Sequence, residues 1–329
     1  MEYRKWNLLF AILSIMLFVG CTDKPSEQVV EGFPIDMKLK AERLPQLDSM
    51  YTAYAVSSVN GRFLLTAKRM PYFFYIYNKT FGRVAEMAMS GNGNEEWMAP
   101  MYTGQLEKGN GEDSIYVLER PTNKLYLLSL KNKALRREVA DFSNRKVENL
   151  RYVFCLGADR YVGSQDEGQC LPFVMNDGVK TELQHPLPDV AQMGVNARLL
   201  LQTQAVLRDT KDKWADAYFS YPMLVIRRVD GTIEQIVKIG KQWPSYTNVH
   251  EAPADYCIDV CSSHNAIYLL FNDPKQPNES CVLAIGWDGK PIARYHIKTA
   301  TAMAVDEDGH RIIAVNDDDS DGVFSMYRF

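Results

Sequence analysis

Beyond residue 50 the apolar and polar positions of this chain fall into short runs joined in pairs by tight turns, a pattern of antiparallel strands with almost no helical periodicity. Residues 224–229 are rich in apolar side chains, break at Asp230-Gly231 and resume over 232–237. Residues 281–285 lead to Asp288-Gly289 and continue over 291–297, and residues 173–175 meet Asn176-Asp177-Gly178 before continuing to Leu183. Asp-Gly between two such runs predicts a hairpin, because the favoured two-residue turns need a positive φ that glycine adopts freely. Two looser copies come earlier, residues 74–77 before Asn78-Lys79 and residues 126–130 before Lys131-Asn132.

The turns return at intervals of roughly 45 to 58 residues, the period of a four-stranded unit repeated around a ring. Each is read as the link between the two outer strands of its unit, with the inner strands preceding it. Five units fit between Tyr51 and Lys298, and residues 303–305, 311–315 and 323–327 supply three strands of a sixth before the chain stops. The expected fold is therefore all-β, a six-bladed propeller over residues 34–329. Its missing outer strand is expected from the alternating stretch Met37 to Ala41, which closes the ring and protects the sheet edges. Residues 189–207 are the one place where a helix fits; the same apolar cluster reads preferentially as the inner strand of the fourth unit.

The amino end follows another rule. Arg4 and Lys5 precede an apolar run over residues 8–19 that ends at Gly20-Cys21, the layout of an export signal. The run is well short of the roughly 20 residues of a membrane-spanning helix. A small residue directly before cysteine is what a bacterial lipobox requires, although Phe18 stands where leucine is usual. Residues 1–20 are thus expected to be a cleaved lipoprotein signal, Cys21 to carry a diacylglycerol thioether and an acylated amino terminus, and residues 21–33 to be a flexible tether. The protein is expected in the cell envelope, on the periplasmic or surface face of the outer membrane.

Composition adds exclusions. The charge is −4 with both signs interleaved, so the basic footprint of a nucleic-acid binder is missing. Five cysteines remain once Cys21 is set aside, an odd number that argues against a disulfide-stapled scaffold. A monomer is expected.

Residues 286–297, followed by Ala302-Met303-Ala304-Val305-Asp306-Glu307, resemble the late blades of the TolB-like six-bladed β-propeller lipoproteins of Bacteroidota. Ser90-Gly91-Asn92-Gly93-Asn94-Glu95-Glu96-Trp97 is similar to their glycine-rich connector, with Asn94 in place of the usual proline, and residues 212–218 with the hairpin after them fit a middle blade. The resemblance implies a fold and a location, and no catalytic residue.

Asp317, Asp319 and Asp321, followed by Gly322, match the first half of a calcium loop, alternate carboxylates that deliver oxygens to one point. Arg328 stands where an EF-hand places its bidentate Glu, so a solvated hairpin turn is the preferred reading and calcium the candidate cofactor. The five histidines show no zinc-site spacing, and no nucleophile elbow, phosphate loop or dinucleotide fingerprint is present. The aromatic stretch over residues 72–77 is a candidate sugar platform, though strands favour such residues for packing alone. The expected function is non-catalytic binding of a protein or glycan at one end of the ring. The alternative is a metal-dependent hydrolase or lactonase whose ligands converge in the channel.

Overall fold

The computed structural model describes residues 25–93, 95–109, 113–131, 136–145, 147–187, 197–244, 246, 254–317 and 322–329. The expected signal peptide, Cys21, Asp319 and Asp321 lie outside the described residues. Three short strands come first: β1 (Ser26–Val30), β2 (Ile35–Lys38) and β3 (Glu42–Arg43). Blade one contains β4 (Ala53–Val59), β5 (Arg62–Ala67), β6 (Tyr72–Tyr77) and β7 (Arg83–Met89). Blade two contains β8 (Pro100–Glu107), β9 (Ser114–Glu119), β10 (Lys124–Ser129) and β11 (Arg136–Asp141). Blade three contains β12 (Leu150–Gly157), β13 (Arg160–Gln165), β14 (Pro172–Asn176) and β15 (Val179–Glu182). Blade four contains β16 (Thr203–Leu207), β17 (Lys213–Tyr218), β18 (Met223–Arg228) and β19 (Ile233–Ile239). Blade five contains β20 (Cys257–Ser262), β21 (Ala266–Asn272), β22 (Glu279–Gly286) and β23 (Pro291–Lys298). Blade six contains only β24 (Ala300–Asp306), β25 (Arg311–Asn316) and β26 (Phe324–Arg328) of its own.

The core lies between blades. Phe74 and Ile76 pack with Val117 and Leu128 across blades one and two, and Leu118 and Leu125 with Val153 and Phe173 across two and three. Phe154 and Val174 meet Leu207 and Trp214, Leu224 and Ile226 meet Leu269 and Leu283, and Leu270 and Val282 meet Ile312 and Tyr327. Leu65 and Tyr75 of blade one meet Ile313 and Phe324 of blade six, which closes a six-bladed ring. Middle strands such as β18 are covered on both faces and are apolar in successive positions, whereas β23 on the rim buries Ala293, Tyr295 and Ile297 in alternation. The aromatic stretch of β6 is spent on this packing, with Phe74, Tyr75 and Tyr77 buried. The five predicted hairpins all join third and fourth strands. Gly231 shows why glycine is needed: its φ is +93° and a Cβ there would sit 2.6 Å from Leu183.

The amino-terminal stretch corrects the expected tether and the expected closing strand. β1 pairs in parallel with β19 on blade four, β2 in parallel with β23 on blade five, and β3 antiparallel with β26 on blade six. Residues 26–43 therefore form a strap along three consecutive rims. Residues 26–30, expected in the tether, are strand because the outer edge of β19 offers unpaired backbone groups and Val30 finds an apolar seat beside Val237 and Ile239. The ring is closed by Glu42–Arg43 and not by Met37–Ala41, whose first two residues sit on blade five. In the 189–207 stretch the described part holds both readings, a single helical turn at Ala197–Leu200 and then β16.

Candidate functional site

The innermost strands line the channel, and their polar side chains are largely committed to joining one blade to the next. Gln105 Nε2 donates to the Cys155 carbonyl at 2.6 Å while its Oε1 accepts from the Cys155 N–H at 2.9 Å. Arg151 Nε donates to Thr203 O at 2.5 Å and Gln204 Nε2 to Ile258 O at 2.6 Å. Asp259 Oδ2 accepts from Met303 N–H at 2.8 Å and Oδ1 from Val260 N–H at 2.9 Å. At the far end of the inner strands Lys211 of blade four reaches Glu107 of blade two at 2.9 Å. Among the described residues no group of three or more His, Cys, Asp or Glu side chains is placed to hold a metal ion. Asp317 follows β25 and donates its N–H to Thr299 O at 3.2 Å, while its two proposed partners in a calcium loop lie outside the described residues.

Burial pushes the Asp259 carboxyl up to about 7, against the two N–H groups that favour its charged form. The folded chain thus holds this proton to higher pH than the unfolded chain, where an aspartate titrates near 3.9. Its contribution favours folding at low pH and is lost as pH rises from about 4 to about 7. Asp259→Asn keeps one acceptor oxygen and does not ionise. The stability difference between variant and wild type is expected to shift in the variant's favour by up to about 4 kcal/mol between pH 4 and pH 8, measured by urea denaturation. Parallel pH profiles of the two proteins would contradict this assignment.

The described cysteines, with His185 and His296, are engaged in packing and hydrogen bonding. Cys155, Cys170, Cys257, Cys261 and Cys281 are free thiols, and burial pushes Cys170 up to about 11 and Cys257 to about 12. His185 accepts from the Tyr218 hydroxyl at 2.6 Å and donates to Gln169 O at 2.8 Å; burial lowers it to about 4 and keeps it neutral. His296, which alternation places on the solvent side of β23, is instead covered by the strap: Nε2 lies 2.8 Å from Asp36 and Nδ1 lies 3.1 Å from Glu279 and 3.5 Å from the Cys281 sulfur. Thiol, imidazole and carboxylate in that order are the parts of an activated nucleophile. Here, however, both ring nitrogens already face carboxylates, and burial pushes Cys281 up to about 11. The group fastens β2 to β23.

A cleft opens where the connector leaving β19 passes over blades four and five. Its cavity, about 240 Å³, has the rings of Tyr256 and Phe271 in its wall and Gln242, Asp273, Lys275 and Gln276 at its polar side. Lys275 donates to the Gln242 side-chain oxygen, and the two rings stand 5.9 Å apart. The connector continues to Trp243, which is 38% exposed and stacks on the buried Tyr221 at 5.4 Å and 26°. Tyr246 meets Tyr221 edge-on, and Lys238 lies 5.3 Å from the centre of the Trp243 ring. A half-exposed indole backed by a second ring presents a flat apolar face, and the residue before it, Gln242, lines the cavity. Sequence reading missed this site and nominated residues 72–77. The available signal was the length of the connector between β19 and β20, in which Trp243 follows Lys241-Gln242 outside any strand pattern.

No family model matches this sequence, and no curated protein matches it. Solved structures do share its fold. A putative exported protein from Bacteroides fragilis aligns with a TM-score of 0.54 at 9% identity, over 92% of this chain and 98% of that one. A member of the DUF4221 family from Bacteroides vulgatus aligns with a TM-score of 0.51 at 10% identity, over 88% of this chain and 96% of that one. At such identities the likeness is one of fold, and it spans nearly the whole length of each protein.

Proposed function

We propose that this chain is an exported, lipid-anchored propeller of the TolB-like kind that binds a glycan without catalysis, at the cleft over blades four and five. The observation that carries the reading is the exposed indole of Trp243, stacked on Tyr221 and directly following Gln242, which lines a cavity whose polar side is amide and charged. The C–H face of a sugar ring suits the indole, and its hydroxyls suit Gln242, Asp273 and Gln276. The cavity is smaller than the roughly 300 to 1,000 Å³ of pockets that enclose a whole small molecule, which fits a site gripping one end or branch of a larger chain. Export and lipid on Cys21 are supported by the lipobox, and the description of the Bacteroides fragilis neighbour as an exported protein agrees with them.

The test is a glycan array probed with the mature chain, followed by calorimetry on any hit. Trp243→Ala is expected to weaken binding by about tenfold or more, the loss of one central aromatic contact, with its melting temperature close to wild type. Binding that survives Trp243→Ala unchanged, or an array without a single hit, would overturn the proposal.

A further inference from the structure

The strap exposes side chains that the fold does not use. Val29, Ile35, Met37 and Ile292 are 52, 46, 44 and 40% exposed, and all four lie on the rims of blades four and five. Pro34, Ile35, Pro291 and Ile292 share one groove with Lys290. The Lys38, Lys241 and Lys290 side chains beside them are 80, 73 and 76% exposed. Each lysine faces a carboxylate, Glu279, Glu31 and Asp288, in an exposed pair of the kind that is easily exchanged for another anion.

We propose that this rim is the side of the propeller that rests on the bilayer, with the four apolar side chains at the headgroup boundary and the lysines toward anionic lipid phosphates. The proposal rests on the lipid reading of Cys21, together with the length of chain between it and the ring. Ser26, the first residue of β1, is five residues from Cys21, and five residues span at most about 18 Å. A lipid on Cys21 holds the rim of blade four within that distance of the membrane surface. The strap then runs on along blade five, parallel to β23, and does not turn toward the channel. Apolar residues interspersed with lysine are the composition of a surface that lies in the membrane interface. A disc resting on its rim carries its two faces upright, so the ligand cleft stays open to water beside the headgroups.

The test uses the mature, acylated chain on vesicles of phosphatidylcholine and phosphatidylglycerol, with and without bromine on the acyl chains. Tryptophan is introduced in three separate variants, Ile292→Trp, Met37→Trp and Val84→Trp. Val84 is 49% exposed on the rim of blade one, opposite blade four. The added emission of the first two variants is expected to fall on brominated vesicles while that of Val84→Trp does not. Equal quenching at all three sites, or at none, overturns the proposal, and the second result together with a dimeric mass assigns the rim to another copy of the chain. The mass of the amino-terminal peptide is read on the same sample. An acylated peptide with no selective quenching overturns the rim contact alone, and an unmodified Cys21 removes the lipid reading as well.

Discussion

Asp216→Ala is expected to cost roughly 3–5 kcal/mol of stability, a large share of the 5–15 kcal/mol that holds a typical domain folded. Asp216 sits on β17 facing blade three, and its side chain and that of Arg227 are 1 and 2% exposed. Arg227 Nε reaches Asp216 at 3.3 Å, Nη1 donates to Gly231 O at 3.1 Å and Nη2 to Gln184 O at 2.9 Å. One guanidinium thus ties the carboxylate, its own hairpin turn and the chain leaving blade three. The Tyr152 hydroxyl of blade three donates to the same carboxylate. Burial raises the Asp216 pKa even with the guanidinium and the hydroxyl pulling it down. Removing the carboxylate leaves a buried cation and a buried hydroxyl without their partner. Replacing all three groups together, Asp216→Leu with Arg227→Met and Tyr152→Phe, removes the charges at similar volume and is expected to lie much closer to wild type than the single variant. Urea denaturation of the single and triple variants checks this; a single variant within 1 kcal/mol of wild type, or costs that simply add, would refute the coupling.

The strap gives the second large effect. A chain starting at residue 25 is expected to melt as the mature protein does, one starting at residue 32 at a clearly lower temperature, and one starting at residue 45 without a cooperative transition. Loss of β1 uncovers the edge of β19 and the seat of Val30, which is 2% exposed; burying one such side chain is worth about 1.5–3 kcal/mol. Loss of β3 takes away the outer strand of blade six, and with it the bonds that hold Ser325 and Met326 and the buried Leu44 that leads into blade one. Because every blade is packed between two others, an opened ring loses the interface on which blades one and six both depend. Differential scanning calorimetry of the three chains decides it. Identical melting of the chains starting at 25 and 32 would show β1 to be dispensable.

Much of the ring was legible because its signals are local. An Asp-Gly pair between two apolar runs specifies a hairpin whatever surrounds it, and Asp230 illustrates the mechanism: its carboxylate accepts the Thr232 N–H at 2.9 Å and seats the turn. The absence of a fourth strand from the last unit was equally visible, since it needed only counting. The identity of the closing strand was not. β3 is Glu-Arg with both residues exposed and leaves no apolar pattern, while β2 alternates apolar and polar residues yet is exposed at all four positions, so its alternation does not say which rim takes it. What holds them is the backbone of a neighbouring rim, and backbone groups are the same in every sequence.

The sequence by itself determined the number of blades, the hairpins and the apolar strands between them, because propensity, turn chemistry and period-two burial act within a few residues. The tertiary structure alone decided the rest. Gln105 meets Cys155, Tyr152 meets Asp216, and His296 meets Asp36 only once the blades and the strap have packed together. The cleft lined by Gln242 draws its walls from six separate stretches of blades four and five and the connector between them. Such contacts join residues far apart in the chain, and their energies depend on burial and distance, quantities that exist only after the blades have packed.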